Sequence, residues 1–235
     1  NASVKTCTVV CENAYSGSVK VVTQNGQYHI PASERGNHIL PVDNDVSLKL
    51  LKRIAPITPY KFLSGTHSAS PRKAQKDPNY LSTKTSTHPY PIVTKLAKDI
   101  NAIEYVYCKE NEDIDSRHWR IAVPYLATGY ASGDMKLGAV GVISKGTQLC
   151  GYYKYLNVAS KEEAITLQKY LMSKFVRYIL HYTRTSRTLD APQVRYIPKF
   201  NNINVNLTDS DIYKYFNLSI DEINEIDSSN LLWTS

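Results

Sequence analysis

Apolar positions along this chain follow two periods, and the longer one marks its most ordered stretch. From Ser160 to about Tyr182, Ala164, Gln168, Leu171, Phe175, Tyr178 and Tyr182 recur every three or four residues, and Ile165, Met172, Val176 and Ile179 widen that face, which predicts one long amphipathic helix. Ser160 with Glu163 forms a capping box that fixes its start. Asp43 is placed to cap an earlier helix over residues 44–55, with Val46, Leu50, Leu51 and Ile54 inward, Lys49, Lys52 and Arg53 outward, and Pro56 and Pro59 ending it. At the C-terminus, Thr208 with Asp211 and Ser219 with Glu222 open two short helices whose buried sides are Ile212, Tyr215, Phe216, Ile220, Ile223 and Ile226.

The shorter period predicts strands. KTCTVVCENA and SVKVVTQ read as a hairpin around Tyr15-Ser16-Gly17, with QYHIP as a third strand. AIEYVYCKE, HWRIAVPYLA, LGAVGVISKG and QLCGYYKYLNV read as a four-stranded meander. Residues 60–90, rich in Ser, Thr, Lys, Pro and His and without periodicity, read as a long loop or a disorder-prone insertion. The expected fold class is α+β, a mixed or antiparallel β-region packed on a long amphipathic helix with two short C-terminal helices. Its parts are N-terminal strands and helix (1–59), a basic loop or insertion (60–95), the β-region and main helix (96–200) and a helical tail (201–235).

At 235 residues the chain can bury a substantial core. Its 18 Tyr against 4 Phe suit half-buried strands and wet interfaces alike. No run of 18 apolar residues occurs, and no basic segment precedes a small-residue cleavage site, so a cytoplasmic protein without a membrane partner is expected. Cys7, Cys11, Cys108 and Cys150 form no CxxC pair, which fits reduced thiols. Cys7 and Cys11 have a spacing compatible with metal binding, but no further ligand completes the set, and no metal is expected.

Charge changes the picture once it is divided along the chain. The total is +7, yet residues 49–98 hold ten basic side chains against the single acid Asp77, and residues 119–200 hold twelve against four. Acidic stretches separate and close these blocks, which argues for a positive surface and a polyanionic partner. The candidate phosphate contacts are a cationic row on the long helix, Lys174, Arg177, His181 and Arg184, continued by Arg187 and Arg195. Arg72, Lys73, Lys76 and Lys84 in the irregular stretch, and the Gly/Ser tip from Tyr130 to Lys136, are the candidates for contacts to phosphates or base edges. A solvated loop and a plain hairpin tip are the alternatives for these last two segments.

Catalytic signatures are missing. There is no P-loop, GxGxxG, HExxH or GxSxG string. The carboxylates of ENEDID lack the arrangement with Lys that a metal-dependent nuclease needs, and read as a solvated acidic loop.

Three features come in a familiar order: RHWRIAVPY heads a β-region, LNVASKEEAITLQKYLMSKFVRYIL gives the helix with its Lys-Phe-x-Arg-Tyr segment, and RYIPKF leads to LTDSDIYKYFNLSIDEINEID. This order resembles the C-terminal target-recognition region of bacterial restriction-modification adenine-specific DNA methyltransferases, of the type II and fused restriction-methylase kinds. The sequence departs from that family's pattern at Lys199, where Asp is usual before Phe200, at Leu207 in place of Trp, and at Asn217 in place of a helix-ending Gly. The resemblance implies a domain that chooses the site on duplex DNA, while a catalytic half outside this chain holds S-adenosylmethionine and methylates or cleaves. This chain itself is then expected to need no cofactor. Asp77-Pro78-Asn79-Tyr80 is a near miss to that half's adenine-binding loop, with Asn at the third position and no strand before it. The rival readings are a protein-interaction module docking through the tail helices and a nuclease domain.

Overall fold

The computed structural model describes residues 19–23, 26–30, 44–126, 137–183 and 196–229. It is an α+β fold built on a four-stranded antiparallel sheet. The first described elements, β1 (Val19–Thr23) and β2 (Gly26–Ile30), form a hairpin in which Val21 faces Tyr28. The hairpin thus joins the second and third expected strands, and the first expected strand lies outside the described residues.

Helix α1 (Asp45–Ile54) starts one residue later than the sequence suggests. Asn44, not Asp43, is its cap, with Oδ1 accepting the Ser47 N–H at 2.9 Å. Leu48, Leu50, Leu51 and Ile54 are buried, and Lys49, Lys52 and Arg53 lie outside. The irregular stretch then contributes β3 (Leu63–Ser64) and helix α2 (Pro71–Lys76), followed by β4 (Tyr90–Lys95) paired with β5 (Glu104–Cys108). It is therefore a folded segment rather than an open loop. Gly65 is needed where it turns in, because a Cβ there would meet the Cys150 carbonyl oxygen at 2.2 Å and the Leu149 oxygen at 2.5 Å.

The central strand is β6 (Trp119–Pro124). β7 (Gly141–Ile143) and β8 (Tyr153–Val158) flank it on opposite sides, and β3 extends the sheet beyond β8. The expected meander is corrected on this point: β8 crosses to the far side of β6, and β5 leaves the sheet to pair with β4. Alternation along β6 explains its nearly continuous apolar run, since Ile121 and Val123 enter the main core and Ala122 a second core on the other face.

The main core lies between the sheet and the helices. The long helix predicted from Ser160 to Tyr182 is two helices, α3 (Lys161–Leu171) and α4 (Lys174–Thr183). Ser173 breaks it, its hydroxyl capping the Val176 N–H at 3.2 Å, while Asp209 Oδ1 takes the Lys174 N–H at 2.9 Å. At the head of α3, Ser160 caps Glu163 as expected, but the Glu163 carboxylate accepts the Ala159 N–H rather than that of Ser160. Both tail capping boxes form, at α5 (Asp209–Tyr215) and α6 (Ile220–Ser228). The tail packs inward through stacked rings, with Phe175 on Phe216 at 4.7 Å and Tyr170 on Phe200 at 5.0 Å.

The end of α5 explains one departure from the resembled family. Asn217 has φ +49°, Leu218 N–H reaches the Tyr213 oxygen at 2.9 Å, and Asn217 N–H reaches the Lys214 oxygen at 3.1 Å. This is a Schellman cap, whose left-handed residue is usually Gly and next Asn. Asn217 keeps the backbone conformation that a glycine would supply.

Candidate nucleic-acid interface

Four of the sequence-selected cations sit on a supported segment. Ser70 caps α2 by accepting the Lys73 N–H at 3.3 Å, and Pro71 opens it with a preset φ. Ala74, 1% exposed, packs with Ile92, Val106 and Cys108 under the β4–β5 pair. That fixes the opposite side of the helix, so Arg72, Lys73 and Lys76 are exposed, as is Lys84 in the turn that follows. None of the four enters an ion pair among the described residues. Asp77-Pro78-Asn79-Tyr80 has a local use here: Asp77 ends α2, and its carboxylate accepts the Asn79 N–H at 2.9 Å. Leu81 then exchanges both backbone hydrogen bonds with Tyr107 and ties the segment to β5.

The approach to α2 is anchored by a buried ion pair that the sequence did not disclose. Arg120 of β6 and Asp113 have fully buried side chains, with Nη1 and Oδ2 2.6 Å apart. Asp113 also accepts the Leu149 N–H at 3.0 Å, the Asp115 N–H at 3.1 Å and the Thr66 hydroxyl at 3.4 Å. Arg120 donates to the Thr147 carbonyl and lies 4.9 Å from the centre of the Tyr155 ring. Tyr155 in turn donates to Asp115 at 2.5 Å, which holds that carboxyl below the usual carboxylate range. Glu112 is likewise lowered, chiefly because it accepts the Ser68 N–H at 3.2 Å. The acidic loop expected to be merely solvated therefore holds residues 66–68, with two residues between them and α2. Only three-dimensional pairing across residues 66, 113, 120 and 149 reveals it.

The cationic row on the long helix has a different geometry from the expected one. Lys174 is paired with Asp227 at 2.6 Å, Arg177 is buried at 9% exposure, and His181 is half-buried with its ring edge-to-face on Tyr182 at 4.9 Å. These three do not form an open row. Lys136, Arg184, Arg187, Arg195, the tip from Tyr130, and Cys7 and Cys11 lie outside the described residues. Among the described residues no group of three His, Cys, Asp or Glu side chains is arranged to hold a metal ion, and no helix is long and apolar enough to cross a membrane.

One cation that sequence reasoning passed over is Lys154. Its ammonium donates to the Ser64 hydroxyl at 2.7 Å and lies 5.1 Å from the centre of the Tyr125 ring. The alternation of YYKYLNV would have placed Tyr152 and Lys154 on one face. Compared with known proteins, the chain matches no family model and no curated protein.

Proposed function

We propose that this chain is a DNA target-recognition domain, of the kind found in restriction-modification adenine-specific methyltransferases, that binds duplex DNA while a catalytic half outside the chain performs the reaction with S-adenosylmethionine. The observation that carries this reading is the exposed set Arg72, Lys73, Lys76 and Lys84, without ion-pair partners among the described residues and held by a buried Ala74 and a buried Arg120–Asp113 pair. Unneutralised cations on a fixed support suit phosphate binding, because little backbone freedom is lost on contact. The stacking of Phe175 on Phe216 and of Tyr170 on Phe200 supports the resemblance, since it joins the main helix region, the link and the tail into one packed unit.

The test is retention of a randomised duplex pool by the purified chain at two salt concentrations, with the retained DNA sequenced. The expected result is affinity that falls steeply with salt together with an enriched motif. Salt-dependent binding without a motif would move sequence reading to the catalytic half. Absence of binding would overturn the proposal.

A further inference from the structure

A concave surface stands apart from α2 on different elements. The segments around Thr58 and Lys199 run antiparallel through the bridge Pro59–Pro198, with Lys199 N–H on the Thr58 oxygen at 2.9 Å and Tyr60 N–H on the Ile197 oxygen at 3.2 Å. Between this pair, β8 and α3 opens a cleft of about 620 Å³. It adjoins a shallower hollow of about 590 Å³ that shares Thr58, Lys199 and Asn201 with it and reaches Asn217. Each volume lies within the range of roughly 300–1,000 Å³ that bound ligands occupy.

The lining has a definite chemistry. Lys61 and Lys199 are exposed, and neither enters an ion pair among the described residues. Exposed Asn201 and Asn202 add side-chain amides, each able to donate and accept. The one carboxylate on the wall among the described residues, Glu163, accepts the Ala159 N–H at 2.7 Å at the start of α3, where the helix dipole favours its charge. Among the described residues the trough therefore offers two positive point charges, one carboxylate tied to the start of α3, and neighbouring amides. Lysine ammonium groups suit phosphate oxygens, and asparagine amides suit sugar and base-edge groups.

We propose that this trough holds the backbone of one strand of duplex DNA, with successive phosphates on Lys61 and Lys199 and the amides of Asn201 and Asn202 facing the sugars and base edges. This rests on the reading of the chain as a DNA-binding domain, and it assigns that binding a second contact surface independent of α2.

The experiment measures affinity of the full chain for a duplex over a range of salt, for wild type, for the double variant Lys61→Gln/Lys199→Gln and for the α2 double variant Arg72→Gln/Lys73→Gln. If the trough carries two phosphates, the slope of log K against log salt falls by about 1.8 in the trough variant, from about 0.9 per phosphate on B-form DNA. The NMR signals of the Asn201 and Asn202 side-chain amides also shift when duplex is added to wild type. Wild-type binding with an unchanged affinity and slope in the trough variant, and a lower slope only in the α2 variant, would overturn the trough while leaving the DNA-binding reading in place. No salt-dependent binding by wild type would overturn both.

Discussion

Replacing Asp113 with alanine removes the group on which the approach to α2 depends. The carboxylate is fully buried and accepts four hydrogen bonds, from Arg120, Leu149, Asp115 and Thr66. Its loss leaves the Arg120 guanidinium, 0% exposed, with the Thr147 carbonyl, the Tyr155 ring and the longer-range attraction of the Asp115 carboxylate among the described residues. Breaking one side of a buried pair costs about 3–5 kcal/mol, far more than the pair's net contribution, because the remaining charge stays desolvated. For a chain of this size that corresponds to a fall in Tm of roughly 6–20 °C. The measurement is urea and thermal unfolding followed by circular dichroism, with hydrogen exchange at the His67 and Leu149 amides as a local readout. Both amides should lose protection, since His67 N–H bonds to the Leu149 oxygen and Leu149 N–H to Asp113 itself. The double variant Asp113→Leu/Arg120→Met should recover most of the loss, because it removes the charge together with its partner. A loss below about 1 kcal/mol for Asp113→Ala, or a double variant no better than the single one, would refute the assignment of this pair as an anchor.

Four further outcomes follow from separate parts of the fold. Arg177→Ala should lower stability through lost packing of a buried stem, whereas Lys174→Gln, which breaks a half-exposed pair, should change it by about 0–1 kcal/mol; unfolding midpoints separate the two. Asn217→Gly should leave stability unchanged or higher, and Asn217→Val should cost about 1–2 kcal/mol, because a β-branched residue resists positive φ; equal midpoints for the two variants would count against the Schellman cap. Asp115, held low by the Tyr155 hydroxyl, contributes stability above its unfolded value of about 3.9 and loses it as pH falls through the lower folded value. Carboxyl titration by NMR should therefore find Asp115 higher in Tyr155→Phe, and that variant should lose less stability on acidification. Removal of residues 208–235 should unfold the chain rather than detach a docking arm, because Ile212, Phe216 and Ile226 lie in the main core; a stable, cooperatively folding truncation would revive the interaction-module reading.

The sequence discloses most where structure is decided locally. The boxes at Thr208 and Ser219, the outward cations of α1 and the strands of β6 and β8 all follow from neighbouring residues, and all are present. The misses share a different cause. Ser173 interrupts a perfect helical period because Asp209, 36 residues on, takes the Lys174 N–H. Helix α2 has six residues and one buried alanine, too little periodicity to detect, and β4 is masked by Pro89 and Pro91 on either side of its start. The crossing of β8 over β6 and the Asp113–Arg120 pair depend on partners that only the folded chain brings together.

The same distinction decides where a polyanion can be met. A cationic residue three or four positions from another on a helix suggests a charged face, but α4 has eight buried residues out of ten and spends Arg177 within the protein. Local spacing counts charges without showing which of them fold inward. In the described structure the surplus of residues 49–98 is different in kind: α2 is short enough to bury one side chain and leave its cations outside, and exposed Lys61 lines an open trough together with Lys199 from a distant part of the chain. A positive surface assembled from those two places, rather than from the long helix, is what makes salt dependence at α2 and at the trough the informative comparison. The two surfaces share no cation, Arg72, Lys73, Lys76 and Lys84 belonging to one and Lys61 and Lys199 to the other, so their contributions to the salt slope should add if both touch DNA.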